Sequence, residues 1–288
     1  MSQLPTLAPP PGWYPDPWAQ ASYRWWSGLD WTPHVSLAPP QPGMLPLPTI
    51  EPEPTLPVRA GWIALGLLLA LLIGVGLVVG IAIVALDSAG VDISGGFALL
   101  AGSVLLYGPM LWWCGYVSRR WGTGSLRADL GLQWRWADAA WAVAALLGAY
   151  VAMFTIMIAT SLLGLPVGSN TEGLGDVGGD TFEVIALFAT AAVAAPVVEE
   201  MFFRGLVLRA MRSRFALLPA LLIQGTTFGI AHFSLGLGLG AISLLLALSA
   251  IGVIYGLVAW QTRRLGATII AHALQNAIAV TLALLLGF

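Results

Sequence analysis

The chain has 288 residues, 58% of them hydrophobic and only 9% charged, with a formal net charge of -2. That apolar share identifies a polytopic membrane protein. The charge balance, with no basic stripe, excludes a nucleic-acid partner, because phosphate binding needs a basic surface. Cys114 is the single cysteine, so neither an intramolecular disulfide nor a thiolate metal cluster can form within one chain.

Residues 1–58 lack the basic start and apolar core of a cleavable signal peptide, and the first long apolar run opens at Trp62 as a retained anchor. Residues 10–35 hold five of the 13 tryptophans with little aliphatic content. Aromatic pairs on both sides of "SGLD" predict a small β-hairpin or meander whose tryptophans stack into a miniature core. Residues 36–58 are proline-rich and carry Glu51 and Glu53; they cannot bury a core and read as an extended linker.

From residue 59 to 288 the chain reads as the membrane region. Seven apolar spans are each long enough, at about 20 residues, to cross a bilayer as a helix. They cover 61–86, 94–117, 138–165, 182–210, 215–235, 239–260 and 266–287. The expected fold is therefore all-α with about seven transmembrane helices behind a small N-terminal Trp-rich β module.

Arg59, Arg119, Arg120, Arg127, Arg135, Arg209, Arg212, Arg214, Arg263 and Arg264 fall on one side of this arrangement. Asp87, Asp92, Glu172, Asp176 and Asp180 fall on the other. The excess of arginine on cytoplasmic segments places the N-terminus in the cytoplasm and the C-terminus outside, in a multi-pass cell-membrane protein. Asp129, Asp138 and the arginines near them read as a wet cytoplasmic segment, and the glycine-rich "TEGLGDVGGD" as an exposed outer loop. Gly76 with Gly80, and Gly252 with Gly256, are small-residue pairs that would let helices approach closely.

Three spans carry polar groups that lipid does not tolerate alone. The fourth has Glu199, Glu200 and Arg204; the fifth has His232; the seventh has His272 and Asn276. A charge at mid-helix in lipid costs on the order of 2.5 to 3.5 kcal/mol on insertion scales, so these groups should pair or face a wet cavity. Glu199 lies about 16 residues before the turn near Arg214, and His232 about 16 after it, so an antiparallel hairpin brings them to similar depth. Glu200 and Arg204, Phe228 and His232, and His272 and Asn276 are each four apart and share a helical face. Pro196 removes a backbone donor, should kink the fourth span and leaves a carbonyl free beside Glu199.

A carboxylate and an imidazole that share a water can take its proton and make it a nucleophile. A histidine and an asparagine one turn apart can donate to the oxyanion formed when that water attacks a carbonyl. Glutamate with two histidines could also make a three-ligand zinc site with an open position, although no HExxH helix is present and Asn276 suits an anion better than a metal.

The segments "EEMFFR" (199–204), "FGIAH" (228–232) and "HALQN" (272–276) resemble, in order, the EExxxR, FxxxH and HxxxN motifs of the CAAX prenyl protease type II family and its bacterial relatives, the intramembrane glutamic endopeptidases. The resemblance covers roughly 140–288. It implies an α-helical membrane hydrolase with no required metal or other cofactor. Glu199 and His232 would activate water, His272 and Asn276 would hold the oxyanion, and Glu200, Arg204 and Phe228 would support the site.

The implied reaction is peptide-bond hydrolysis in a membrane-embedded or lipid-anchored protein or peptide. A proton- or ion-coupled transporter and a catalytically silent scaffold or immunity factor are the alternatives. The N-terminal segment resembles a tryptophan-rich module that precedes membrane segments in bacterial proteins, and it reads as an appendage for a cytoplasmic partner.

Overall fold

The computed structural model describes residues 9–27, 30–38, 56–91, 94–171 and 180–286. Most of the expected 36–58 linker and of the glycine-rich 171–180 run lies outside these residues. The chain divides into two compact units, Met1–Glu53 and Pro54–Phe288.

The first unit is an antiparallel three-stranded meander, β1 (Gly12–Pro15), β2 (Tyr23–Trp26) and β3 (Trp31–Ser36), in the order β1-β2-β3. Register pairs Trp13 with Trp25 and Trp26 with Trp31, and both pairs meet edge to face, at ring-centroid distances of 5.5 and 5.3 Å. The aromatic stacking matches expectation. The sequence did not reveal the charged residue among those rings: Arg24 is buried, with Nε donating to Asp16 Oδ1 at 2.8 Å and its guanidinium 4.6 Å from the Trp18 ring. Asp16 also accepts from the backbone of Gln20 and Ala21, which closes the β1–β2 turn. The bond from Arg24 holds the Asp16 carboxyl down to about 2.

The second unit is helical. Its long elements are α1 (Val58–Ser88), α2 (Gly95–Trp121), α4 (Asp138–Leu162), α5 (Thr181–Arg212), α7 (Gly240–Thr262) and α8 (Gly266–Leu286). Each is long and apolar enough to cross a membrane. Among the described residues, a single turn, α3 (Leu126–Asp129), and a 15-residue helix, α6 (Leu217–Ala231), are the other α-helical elements. Ser94 caps α2 and Asp180 caps α5, each accepting a backbone N–H of the first turn. The fifth expected span is thus shorter than the sequence suggests. At about 22 Å, α6 falls short of a bilayer's hydrocarbon thickness.

Basic residues gather at one end of the bundle. Arg59 lies over the Trp121 ring at 5.0 Å, and Trp62 meets Phe215 at 6.4 Å. Arg209 Nη2 donates to the Arg263 carbonyl at 2.9 Å.

The segment between α2 and α4 was expected to be solvated, but it is stitched into this end. Asp129 is fully buried and accepts from the hydroxyls of Ser118 and Thr123 and from the backbone of Thr123 and Gly124. Asp138 is equally buried, pairing with Arg264 at 2.6 Å and accepting from Arg135 N. Leu265 N and Gly266 N donate to the carbonyls of Gly131 and Gln133. Gly131 sits at φ +72°, and a side chain there would strike Arg209 and the Arg263 carbonyl.

Glycines decide which helices touch. A Cβ on Gly252 would lie 2.8 Å from Gly225 Cα, and one on Gly225 would lie 2.9 Å from the Ser249 carbonyl, so α6 and α7 pack backbone to backbone. Gly256 is likewise closed in by Leu221 and Gln224. Gly76 and Gly80, expected to act the same way, have open space around them.

Candidate active site

The site forms where α5, α6 and α8 meet, with one contribution from α2. Glu199 precedes the end of α5 by 13 residues, so it lies about 20 Å in from the basic end at helical rise. α6 starts from that end and stops at the same depth, which puts His232 at its C-cap position. The short helix is therefore a means of delivering an imidazole to mid-bundle.

Helix α5 is not uniformly α-helical: Ala189–Ala194 and Glu200–Leu208 are π-helical, on either side of the turn that holds Pro196. Wide turns of this kind recur at functional sites because they rotate side chains out of the ordinary helical register. The first of them has a traceable cause. Ala195 N donates to the Thr190 carbonyl, five residues back. The next bond in that register would run from residue 196 to the Ala191 carbonyl, and proline has no N–H to give. Asn276 Nδ2 supplies the donor from α8, at 2.7 Å. The free carbonyl expected from Pro196 thus exists, and the expected oxyanion donor uses one of its two N–H groups to satisfy it.

Glu200 and Glu199, adjacent in sequence, do different work. Glu200 is fully buried, with Oε1 2.9 Å from Arg204 Nη1 and 3.1 Å from His272 Nδ1. Arg204 is buried too, its guanidinium 4.4 Å from the Phe228 ring and 5.6 Å from that of Tyr255. Facing aromatic rings on this scale stabilise a desolvated cation, so the pair is neutralised both by charge and by its walls. Phe228 also contacts His232 and His272, at ring-centroid distances of 4.8 and 5.8 Å, which makes it the packing centre of the site.

Glu199 is left to face the histidines. Its Oε2 lies 4.0 Å from His232 Nε2 and 3.9 Å from His272 Nε2, and this buried oxygen has no hydrogen-bond partner. Those separations exceed a direct hydrogen bond and suit one bridging water. The tautomers follow from the outer contacts. His232 Nδ1 stands 2.8 Å from the Phe228 carbonyl; a carbonyl only accepts, so Nδ1 carries the proton and Nε2 of the neutral ring is a free base. His272 Nδ1 donates to Glu200, which likewise turns Nε2 toward Glu199.

One contact of the site escaped the sequence. Tyr107 Oη, from α2, donates to Glu199 Oε1 at 3.2 Å. The only signal for it was one of a few hydroxyls in a largely apolar span, 92 residues away from its partner. The cavity expected near these polar groups is present, with a volume of about 390 Å³, but it is lined by Asn276, Gln275, Ala191, Tyr150, Met153 and Leu248 among others, and Glu199 is not part of its lining. Among the described residues no group of three His, Cys, Asp or Glu side chains is arranged to hold a metal ion.

Residues 181–278 match the family described as type II CAAX prenyl endopeptidase, Rce1-like. This stretch, 98 of the 288 residues, carries the likeness to an Rce1-like domain. It contains α5, α6, α7 and the part of α8 that carries His272 and Asn276, and so all three motifs that suggested the family. Residues 11–44 match a protein of unknown function (DUF2510), in the region of the tryptophan meander. Searches of curated proteins and of solved structures gave no match. The Rce1-like domain and the six apolar helices make this a multi-pass membrane protein and support a protease-type hydrolase function. Tyr107 lies outside the Rce1-like domain.

Proposed function

We propose that the chain is an intramembrane endopeptidase that hydrolyses a peptide bond of a membrane-embedded or lipid-anchored protein or peptide by direct water attack. The observation that carries this reading is the unpartnered Glu199 Oε2, placed between two imidazole Nε2 atoms at 4.0 and 3.9 Å. A water there is polarised by Glu199 and His232, and one of them takes its proton as the oxygen attacks the scissile carbonyl. Returning that proton to the departing amine completes the cleavage.

His272, held by Glu200 through its Nδ1–H, donates from Nε2 to the developing oxyanion as the imidazolium, with a proton on both ring nitrogens. Asn276 has a second N–H for the same purpose once Ala191 has taken the first. Glu200 and Arg204 hold His272 in place, and Phe228 keeps bulk water away from the cluster. No acyl-enzyme is required when water is the attacking group. The excess of arginine at one end supports a cytoplasmic N-terminus and an extracytoplasmic C-terminus, with the tryptophan meander available to a cytoplasmic partner.

Quantitative mass spectrometry of protein termini in membranes tests the reading. Termini present with the wild-type chain should vanish with Glu199→Ala and His232→Ala while both variants still insert. Unchanged termini with correctly inserted variants remove the protease assignment. On this reading cleavage by the purified protein survives EDTA; a loss that zinc restores would transfer the mechanism to a metal held by Glu199, His232 and His272.

A further inference from the structure

The carboxylate of Glu199 is asymmetric in its surroundings. Oε1 accepts the phenolic proton of Tyr107 at 3.2 Å, whereas Oε2 accepts nothing and faces the gap toward the histidines. A carboxylate on a flexible side chain rotates freely about its last torsion. A single donor on one oxygen therefore decides where the other oxygen points.

The charged and titratable groups around Glu199 leave that task to Tyr107. From α6 comes His232 and from α8 His272, both beyond hydrogen-bond distance of Oε2. On α5 itself, Glu200 and Arg204 are paired with each other, and Glu200 is shared with His272. From α2, Tyr107 alone makes a hydrogen bond to Glu199 among the described residues.

We propose that Tyr107 is a positioning residue of this site: its hydroxyl fixes the Glu199 carboxylate so that one oxygen is directed at the His232–His272 gap. This deepens the protease reading and rests on it for the catalytic consequence, but the Tyr107–Glu199 bond itself is independent of any substrate. It also extends the site to α2, outside the Rce1-like domain. Correct docking of α2 against α5 then becomes a condition for an ordered Glu199.

The test uses the purified full-length protein and dicyclohexylcarbodiimide, an apolar reagent that attacks carboxyl groups in their protonated form, with labelled peptides identified by mass spectrometry. A hydrogen bond that holds a charged carboxylate is worth roughly tenfold in an equilibrium, so its loss frees the group to meet the reagent to about that extent. Tyr107→Phe, which keeps the ring and its packing, should label at Glu199 about tenfold faster than wild type at pH 7, with Glu200 unaffected. Incorporating 3-fluorotyrosine at position 107 strengthens the donor and should slow the same labelling, so a folding defect in one variant cannot imitate the pair of results. Equal Glu199 labelling rates in wild type and both variants overturn the proposal.

On a substrate found through the terminal proteomics, Tyr107→Phe should lower kcat about tenfold and leave KM within about twofold. A lowered thermal midpoint with kcat unchanged would instead make Tyr107 a packing residue and also overturn the proposal. Absence of any cleavage by the wild-type protein would remove the protease reading, while the labelling rates still decide whether Tyr107 holds Glu199.

Discussion

Asn276 on α8 donates to the carbonyl of Ala191 on α5, the carbonyl that Pro196 leaves without its helical donor. A lesion in one helix is thus repaired by a side chain from another, beside the candidate catalytic carboxylate. The bond supplies a donor that the helix itself cannot give, at two groups that line the cavity beside the site.

This relationship predicts coupling. Asn276→Ala should destabilise the protein by about 0.5–1.5 kcal/mol, the usual net worth of a hydrogen bond between partly buried groups. Pro196→Ala returns a backbone N–H to position 196, so the same Asn276→Ala change should cost markedly less in that background. Thermal unfolding of the four detergent-solubilised proteins measures both. Equal costs in the two backgrounds would show that Pro196 and Asn276 are unrelated.

The Glu200–Arg204 pair should behave as a structural unit. Arg204→Leu leaves a fully buried carboxylate without its cation, and removing one partner of a buried pair typically costs about 3–5 kcal/mol. Glu200→Gln combined with Arg204→Leu should recover part of that loss. Recovery is read from unfolding midpoints and from the yield of correctly inserted protein; a double variant worse than the sum of its singles contradicts the pairing.

Acid should act first through Asp129. Burial would raise its carboxyl, but hydrogen bonds from Ser118, Thr123 and Gly124 outweigh burial and hold it below the ordinary carboxylate range. A lowered folded-state value contributes stability that is present above the unfolded value, near 4, and is lost as pH falls through the folded value. The unfolding midpoint of the wild type should therefore drop below about pH 4. Asp129→Asn should start lower at pH 7 and lose less on acidification; parallel curves for the two proteins would show that Asp129 does not carry the effect.

Glycine substitutions should separate contact from composition. Gly252→Ala places a methyl 2.8 Å from Gly225 Cα and should cost about 1–3 kcal/mol through overpacking. Gly76→Ala and Gly80→Ala meet nothing and should be neutral or stabilising by up to about 1 kcal/mol, because alanine favours the helix. Unfolding midpoints of the three single variants distinguish them, and a tolerated Gly252→Ala would mean that α6 and α7 can separate.

Much of this architecture is legible in the order of residues alone. The apolar runs set the membrane helices, the paired tryptophans set the meander, and the expense of charge in lipid drew attention to Glu199, Glu200, Arg204, His232, His272 and Asn276. Counting residues from the Arg214 turn even placed Glu199 and His232 at one depth, because helical rise is constant along a chain. Tertiary structure decided how each group is used. It gave Tyr107 to Glu199, turned Asn276 toward Ala191, stopped α6 at His232, buried Asp129 and Asp138, and left Gly76 and Gly80 open while Gly225 and Gly252 closed. Local periodicity says which residues share a face. Which neighbour that face meets depends on the rotation and tilt of whole helices, and these are settled only when every helix packs against the others at once.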